Sequence, residues 1–541
     1  MNLFDRILAA RGLDGQAIQS FLSPVYESLH DPFLLPDMKK AVDRLIQAKD
    51  NQEKVTIYGD YDIDGLTATA LMIESLKQFG FKNVDHVIPS RFADGYGLSI
   101  DSVEKIAADG TKLILTVDCG SLSEKEIIRA KDLGVDVIVT DHHTVADKQP
   151  PAVAVINPKR PDNKYPFIDL AGVGVAFRLV QAMQQKIFAF DDGQEKWLLD
   201  LVALGTVCDI VSLTDENRTY VYWGLKVLSQ TRRQGLKALM AVSGVDPKLV
   251  NTRSLGFGLG PRMNAAGRLE TAQKSLDLLL ASDPMEALQK AQYLDMLNLE
   301  RRNDQTKIFK EACLQADKYR KDPVLVLSGN GWNHGIVGIV ASKILEKYKK
   351  PVFVLEEIGN IAKGSARSYG DFSVVEAINE NMKLLNAGGG HKLAAGISIA
   401  TSNIDEFRQK INEFYNRQQF SNQLQLLLPK EDATAELNEL TEELVNQIDQ
   451  LEPFGNGNPR PTLKSDSLLV KNVRSMGSDG QHVKLELADK SGHKIDMLAF
   501  NAPEFFKVEV GKSINVWYHI NVNEWQGRRS VEGQLLHIEI N

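Results

Sequence analysis

Val55-Thr56-Ile57-Tyr58-Gly59-Asp60-Tyr61-Asp62-Ile63-Asp64-Gly65 is the stretch that decides how this chain is read. A β-branched apolar run ends in three carboxylates at alternate positions, followed by a glycine and a helix-like segment. If the backbone stays extended, alternation places Asp60, Asp62 and Asp64 on similar sides. Like charges this close repel one another unless a cation lies between them. Taken alone, the stretch has two open readings: a solvated acidic loop, or a cation site whose other ligands lie elsewhere.

Working outward, residues 55–58 are predicted as a strand and 66–79 as a helix with Leu66, Ala70, Ile73 and Leu76 on its apolar face. Further strands at 84–88, 113–117, 135–139 and 153–156 alternate with helices at 100–108 and 124–133. That alternation predicts an α/β fold built on a doubly wound parallel sheet. The strands are near-continuous apolar runs, as burial on both faces requires. Ligands of such sheets gather at the carboxyl ends of the strands. Those ends read Asp60-x-Asp62-x-Asp64, Arg91, Asp118-Cys119-Gly120 and Asp141-His142-His143. A core histidine or a capping aspartate explains any one of them, but the coincidence is harder to dismiss. Asp209 follows an apolar helical stretch, where a carboxylate is expensive unless paired or ligating.

The remaining chain divides by texture. Residues 1–50 read as a helical lead-in and 51–274 as the first domain. Residues 275–320 read as a connector helix whose Glu300, Arg301, Arg302 and Asp304 fit a solvated surface. A second α/β domain covers 321–428 and carries Gly388-Gly389-Gly390-His391, where no strand is expected to lead into the glycines. Five short alternating strands in 429–541 suit a β-barrel of the OB-fold kind. There Lys471, Arg474, Lys484, Arg528 and Arg529 lie among Phe500, Trp517, Tyr518 and Trp525. Such rings either stack on single-stranded bases or fill the barrel core.

With 541 residues, 43% hydrophobic and 25% charged, the chain is expected to fold as several soluble domains. Its formal net charge of -8 argues weakly against a nucleic-acid partner, unless the carboxylates are spent on metal ions. Three isolated cysteines suggest a reducing compartment and no disulfide framework. The N-terminus lacks a signal-peptide core, and no segment is suited to span a membrane, so a cytoplasmic protein is expected.

Aspartates with one or two histidines suit Mn²⁺ or Mg²⁺. Five or six such ligands can hold two ions bridged by a shared carboxylate, an arrangement suited to phosphoester hydrolysis. The sequence has no Gly-x-Ser-x-Gly elbow and no Walker loop.

The motifs at Asp60–Gly65, Asp118–Gly120, Asp141–His143 and Asp209 resemble, in order, the four motifs of the DHH phosphoesterase superfamily. Gly389-Gly390-His391 with Ala394-Ala395-Gly396 resembles the signature of its DHHA1 companion domain. Gly260-Pro261-Arg262-Met263-Asn264-Ala265-Ala266-Gly267-Arg268, Trp332-Asn333-His334-Gly335-Ile336-Val337-Gly338 and Glu452-Pro453-Phe454-Gly455-Asn456-Gly457-Asn458-Pro459 are similar to motifs of the RecJ-type exonucleases within it.

The resemblance implies two Mn²⁺ or Mg²⁺ ions held by Asp62, Asp64, Asp118, His142 and Asp209, with Asp118 bridging. Asp60, Asp141 and His143 would support or complete the site. Pyrophosphatase relatives carry a histidine where this chain has Tyr58, which leaves Asp60 as the candidate substitute. The resemblance also implies Arg91, Ser365 and Arg367 on a 5′-phosphate and Tyr96 stacked on a base. Arg262, Asn264 and Arg268 would line a DNA path, and His391 the cleft between the α/β domains. The implied activity is a 5′→3′ exonuclease on single-stranded DNA in repair and recombination, with a single-strand-binding protein and a RecQ-type helicase as partners. A DHH-family oligoribonuclease or cyclic-dinucleotide phosphodiesterase, and a catalytically inactive single-strand-binding scaffold, are the alternatives.

Overall fold

The computed structural model describes residues 1–91, 97–418, 429–477, 480–501, 508–525 and 527–541. The chain divides into two compact units. The larger runs from His30 to Asp209 and resumes at Gly224; the smaller joins Met1–Leu29 and Ile210–Trp223 to the C-terminal region.

The first sheet of the larger unit contains β1 (Val55–Gly59), β2 (Val84–Val87), β3 (Leu113–Val117), β4 (Asp136–Thr140) and β5 (Ala154–Ile156). Its order is β2-β1-β3-β4-β5, every pair parallel, which is the doubly wound arrangement expected. β1 and β3 are buried along their whole length, so their apolar runs need no alternation. The acidic stretch departs from the sequence reading. The helix starts at Ile63, not at 66, and runs to Gln78. Asp62 is its N-cap, accepting from Gly65 N at 3.1 Å, so the backbone is not extended through Asp64. Gly65 is required there: a Cβ would lie 2.6 Å from the backbone N and O of Asp60.

The second sheet contains β6 (Leu325–Asn330), β7 (Val352–Ile358), β8 (Ile361–Arg367), β9 (Leu385–Gly390) and β10 (Ala394–Ala400), in the order β6-β7-β8-β10-β9. Only β6 and β7 are parallel. The glycine run Gly388–Gly390 is itself the end of strand β9, contrary to expectation, because β10 supplies the hydrogen-bonding partner that composition hides. The connector is a 35-residue helix, Pro284–Lys318. Its Arg301 is not solvated but buried, bonded to Asn298 Oδ1 at 2.9 Å and Gln305 Oε1 at 3.0 Å on its own helix.

In the smaller unit, β11 (Ala433–Thr434) leads into β12 (Leu463–Met476), β13 (His482–Ala488), β14 (Lys494–Ala499), β15 (Ser513–Trp525) and β16 (Arg528–Ile540). Pairing of β12 with β15 closes these last five into a barrel. The lead-in divides: Leu3, Phe4, Ile7 and Leu8 belong to the barrel's core, whereas the helix Met38–Asp50 belongs to the larger unit. The barrel aromatics divide as well. Tyr518 is fully buried with its hydroxyl 2.8 Å from Ser465 Oγ, and Trp517 is 4% exposed. Lys484 is paired with Asp496 and Glu532. Phe500 remains on the surface. Among the described residues no helix is long and apolar enough to cross a membrane.

Candidate metal centre

The carboxyl ends of β1, β3 and β4 bring the sequence-predicted acids and histidines together. Asp118 follows β3 in the left-handed region (φ 63°), a conformation aspartate tolerates better than most residues. Its N donates to Thr140 O at 2.9 Å. His142 Nε2 lies 3.2 Å from Asp118 Oδ1, 3.5 Å from Asp209 Oδ2 and 3.8 Å from Asp64 Oδ2. Three overlapping groups result: Asp60, Asp62 and Asp118; Asp118, His142 and His143; and Asp64, His142 and Asp209. Within each, the ligand atoms lie within 4.8 Å of one another.

Each acid has a distinct support. Asp64 accepts from Gly172 N at 2.6 Å and Val173 N at 2.9 Å, the first amides of the 16-residue helix Gly172–Ile187. A helix N-terminus suits a carboxylate. Space is equally constrained: a Cβ at Gly172 would lie 2.4 Å from Asp118 Oδ1, and one at Gly205 would lie 2.9 Å from Asp64 Oδ1. Asp209 caps the helix Leu199–Cys208. Asp141 faces its own loop, accepting from His142 N (2.8 Å), His143 N (3.1 Å) and Ser121 N (2.9 Å), and pairing with His143 Nδ1 (2.9 Å). Tyr58 is buried and donates to Gly97 O at 3.0 Å, which leaves the acidic group to Asp60 on that side.

The electrostatics follow from burial. Burial, then the charge of Asp62, pushes Asp60 up to about 8 and Asp64 to about 7. Burial and Asp64 push Asp209 to about 9, and burial with the neighbouring acids raises Asp118 well above the usual carboxylate range. Burial and His143 hold His142 down to about 3, keeping it neutral. Asp141 is the exception: burial opposes its ionisation, but bonds from His143 and backbone amides outweigh it and hold the carboxyl low. Buried acids that cannot all ionise, around a neutral imidazole, are a donor set suited to a cation. His142 Nε2 and Asp60 Oδ1 are buried and make no hydrogen bond among the described residues. Hard oxygen donors with imidazole and no thiolate fit Mn²⁺ or Mg²⁺.

A second feature adjoins these acids. A cavity of about 1050 Å³ is lined by Arg91, Arg268, His334, Lys363, Ser365 and Arg367, among others. The Arg91 guanidinium lies 4.2 Å from the Tyr61 ring centroid, so it reaches the acidic stretch directly. Burial, then Arg91 and Arg301, lowers Arg268 to about 10; burial also lowers Arg367. Arg367 donates to Ser365 Oγ at 2.7 Å. Of the other expected contacts, Arg262 is paired with Asp295 at 2.7 Å, and neither it, Asn264 nor His391 lines the cavity. Tyr96 lies outside the described residues.

Three contributors escaped the sequence reading. The amides of Gly172 and Val173 carry no side-chain signal, although Leu170-Ala171-Gly172-Val173-Gly174 is legible as a glycine-rich helix start. Asn157, just past β5, donates to Ser121 Oγ at 2.8 Å and His143 O at 2.9 Å. His334 lines the cavity with Nδ1 2.8 Å from Glu356 Oε2.

The family models agree with this layout. Residues 54–206 match the DHH family N-terminal domain, 321–417 the DHHA1 domain and 431–537 the RecJ OB domain. The single-stranded-DNA-specific exonuclease RecJ of Dickeya dadantii is 35% identical over 558 residues, covering 99% of this chain and 96% of that one. The chain belongs to the RecJ family. The RecJ exonuclease of Bacillus subtilis is 37% identical over 528 residues; the match covers 97% of this chain and 66% of that relative. The crystal structure of RecJ from Thermus thermophilus in complex with Mn²⁺ superposes with a TM-score of 0.85 at 28% identity, covering 99% of this chain and 75% of that one. A Mg²⁺ complex of RecJ from the same organism gives 0.77 at 26% identity, covering 99% and 76%. RecJ-family membership makes this chain a metal-dependent phosphoesterase of DHH type.

Proposed function

We propose that this chain is a single-stranded-DNA-specific exonuclease that acts 5′→3′ in DNA repair and recombination, using two ions of Mn²⁺ or Mg²⁺. The observation that carries the reading is the stacking of Arg91 on Tyr61, which joins a cationic cavity to the acidic centre. A strand end needs both: cations for its terminal phosphate, and acids that hold ions at the scissile one.

Asp62, Asp64, Asp118, His142 and Asp209 would hold the ions, and Asp60 would take the place that Tyr58 does not fill. Two divalent ions in such a site neutralise charge on the phosphoryl oxygens and acidify the attacking water. The protein's own groups do the rest. The helix start at Gly172 fixes the Asp64 carboxylate, while Asp141 orients His143 through Nδ1. His143, 41% exposed at its side chain, would give a proton to the leaving 3′-oxygen of the released nucleotide. Arg91, Ser365 and Arg367 grip the 5′-phosphate, with guanidinium forks suited to paired phosphate oxygens. Arg268 completes the cationic lining, and His334 lies beside it. On this reading the cavity would admit one strand end and not a duplex. A single-strand-binding protein and a RecQ-type helicase would deliver such ends.

The test is incubation with 5′- or 3′-labelled single-stranded DNA, duplex DNA and RNA, with and without Mn²⁺. Metal-dependent release of labelled mononucleotide from the 5′ end of single strands is expected. Cleavage confined to RNA or dinucleotides would point to a small-substrate phosphodiesterase, and binding without cleavage to an inactive scaffold.

A further inference from the structure

Two elements of the larger unit face each other across the cavity. On β8, Lys363, Ser365 and Arg367 line it at alternate positions; opposite lies the start of the 15-residue helix His334–Tyr348. His334, Gly338 and Ser342 also line it, as positions four apart on one helix face do. A Cβ at Gly338 would lie 3.3 Å from Arg367 Nη2 and 3.4 Å from Ser365 Oγ, so this helix face packs directly on the two residues read as the phosphate grip. One turn earlier, Gly335 O accepts from Arg268 Nη1 at 2.9 Å. The helix start therefore touches both guanidinium residues that the proposed function places around a strand's terminal phosphate.

A helix start can hold a phosphate through its backbone amides, but here those amides are already used. Asn333 Oδ1 accepts from Gly335 N at 2.8 Å, and Asn333 O accepts from Ile336 N at 2.8 Å and Val337 N at 3.1 Å. Glu356 Oε2, on β7, accepts from His334 N at 2.8 Å and lies 2.8 Å from His334 Nδ1. What this corner offers a phosphate is the His334 side chain, 32% exposed, with that of Glu356 behind it at 15%. Glu356 is not among the residues that line the cavity, although its cross-strand neighbour Lys363 is. An ionised carboxylate only accepts, so the hydrogen of the Nδ1 contact belongs to the ring, and Nε2–H is the donor left for a phosphate oxygen.

We infer that His334 is a further specificity residue for the terminal phosphate, donating to it from Nε2, and that Glu356 is its positioning residue. Glu356 fixes the imidazole by holding both its Nδ1 and the backbone amide of the same residue. The ring in turn covers a carboxylate that would otherwise repel the phosphate. The inference rests on the proposed reading of Ser365 and Arg367 as the phosphate grip.

The experiment uses the full chain and its variants His334→Ala, Glu356→Gln, their combination, and Arg367→Ala. The kcat/KM for 5′-phosphorylated and 5′-hydroxyl oligonucleotides of one sequence is measured in saturating Mn²⁺, and the ratio of the two is the readout. Both strands are cut by the same molecules, so any loss of folded protein cancels in that ratio. His334→Ala should lower it about 10-fold, the scale of one hydrogen bond to a charged group. Glu356→Gln should lower it less, because an amide oxygen can still accept from the ring. The double variant should recover part of the loss seen in His334→Ala, because the uncovered carboxylate is gone. An unchanged ratio in His334→Ala, while Arg367→Ala lowers it, overturns the inference. A double variant no better than His334→Ala overturns the role of Glu356. If neither His334→Ala nor Arg367→Ala moves the ratio, the reading of the phosphate grip fails instead.

Discussion

The two sheets of the larger unit end in opposite chemistry. The strand ends of β1, β3 and β4 gather acids that burial drives toward the neutral form, whereas β8 and its neighbours line a cavity with guanidinium and ammonium groups. Neither edge is comfortable by itself. Asp60, Asp64 and Asp209 are pushed up to about 8, 7 and 9, while Arg367 on β8 is pulled down. Both displacements have burial as their main cause, and both are relieved by a ligand of opposite sign. The lesson is that the fold buries acids at one edge and guanidinium groups at another, one set suited to cations and the other to a phosphate.

The largest effect should come from the acidic side. Asp118→Ala should cut hydrolysis by at least about 10³-fold, the scale of deleting a charged group that acts on the transition state. Single-strand binding should persist in a filter or anisotropy assay, because the cations are untouched. Near-normal turnover would remove Asp118 from the metal centre.

On the cationic side the effect should be smaller and selective. Arg367→Ala should lower the kcat/KM preference for 5′-phosphorylated over 5′-hydroxyl strands about 10-fold, as expected for losing one charge-assisted bond. An unchanged preference would place the terminal phosphate elsewhere.

The acidic edge also predicts a stability profile. Its carboxyls lie near pH 7 to 9 when folded without metal, and near 4 (about 3.9) when unfolded. Over that window the folded chain binds more protons than the unfolded chain, so stability must fall as pH rises. Melting in chelator at pH 6 and pH 9 should show a drop of several degrees that saturating Mn²⁺ removes. Asp118→Asn, which keeps a residue tolerant of the left-handed region, should reduce the drop. Parallel curves with and without metal would contradict the raised carboxyls.

A control outside both edges should give the smallest change. Burial and Arg460 hold His519 in the barrel down to about 4. Its stabilising contribution is complete above about pH 6.5 and fades as pH falls toward 4. His519→Gln should flatten that acid limb without altering the alkaline one.

Much of this arrangement is legible in the sequence because it depends on strand ends. Asp60, Asp118 and Asp141 each terminate an apolar run, so parallel topology alone brings them to one edge. What escaped depends on distant partners. Tyr58 points toward Gly97, and Asp64 is met by amides more than a hundred residues away, for which backbone donors leave no side-chain trace. Leu3 and Phe4 join a barrel core formed at the far end of the chain, where local helical periodicity cannot point. Arg301 looks like surface because it is charged, yet Asn298 and Gln305 on its own helix let it be buried.

The bare positions at Gly172 and Gly205 carry a consequence for anyone altering this chain. A methyl group at Gly172 would meet Asp118 Oδ1 at 2.4 Å, and one at Gly205 would meet Thr67 Oγ1 at 2.4 Å and Asp64 Oδ1 at 2.9 Å. In a saturation screen these two positions should tolerate as little as the acids themselves, although neither carries a functional group. A search for activity determinants that scores only chemistry-bearing side chains would overlook both.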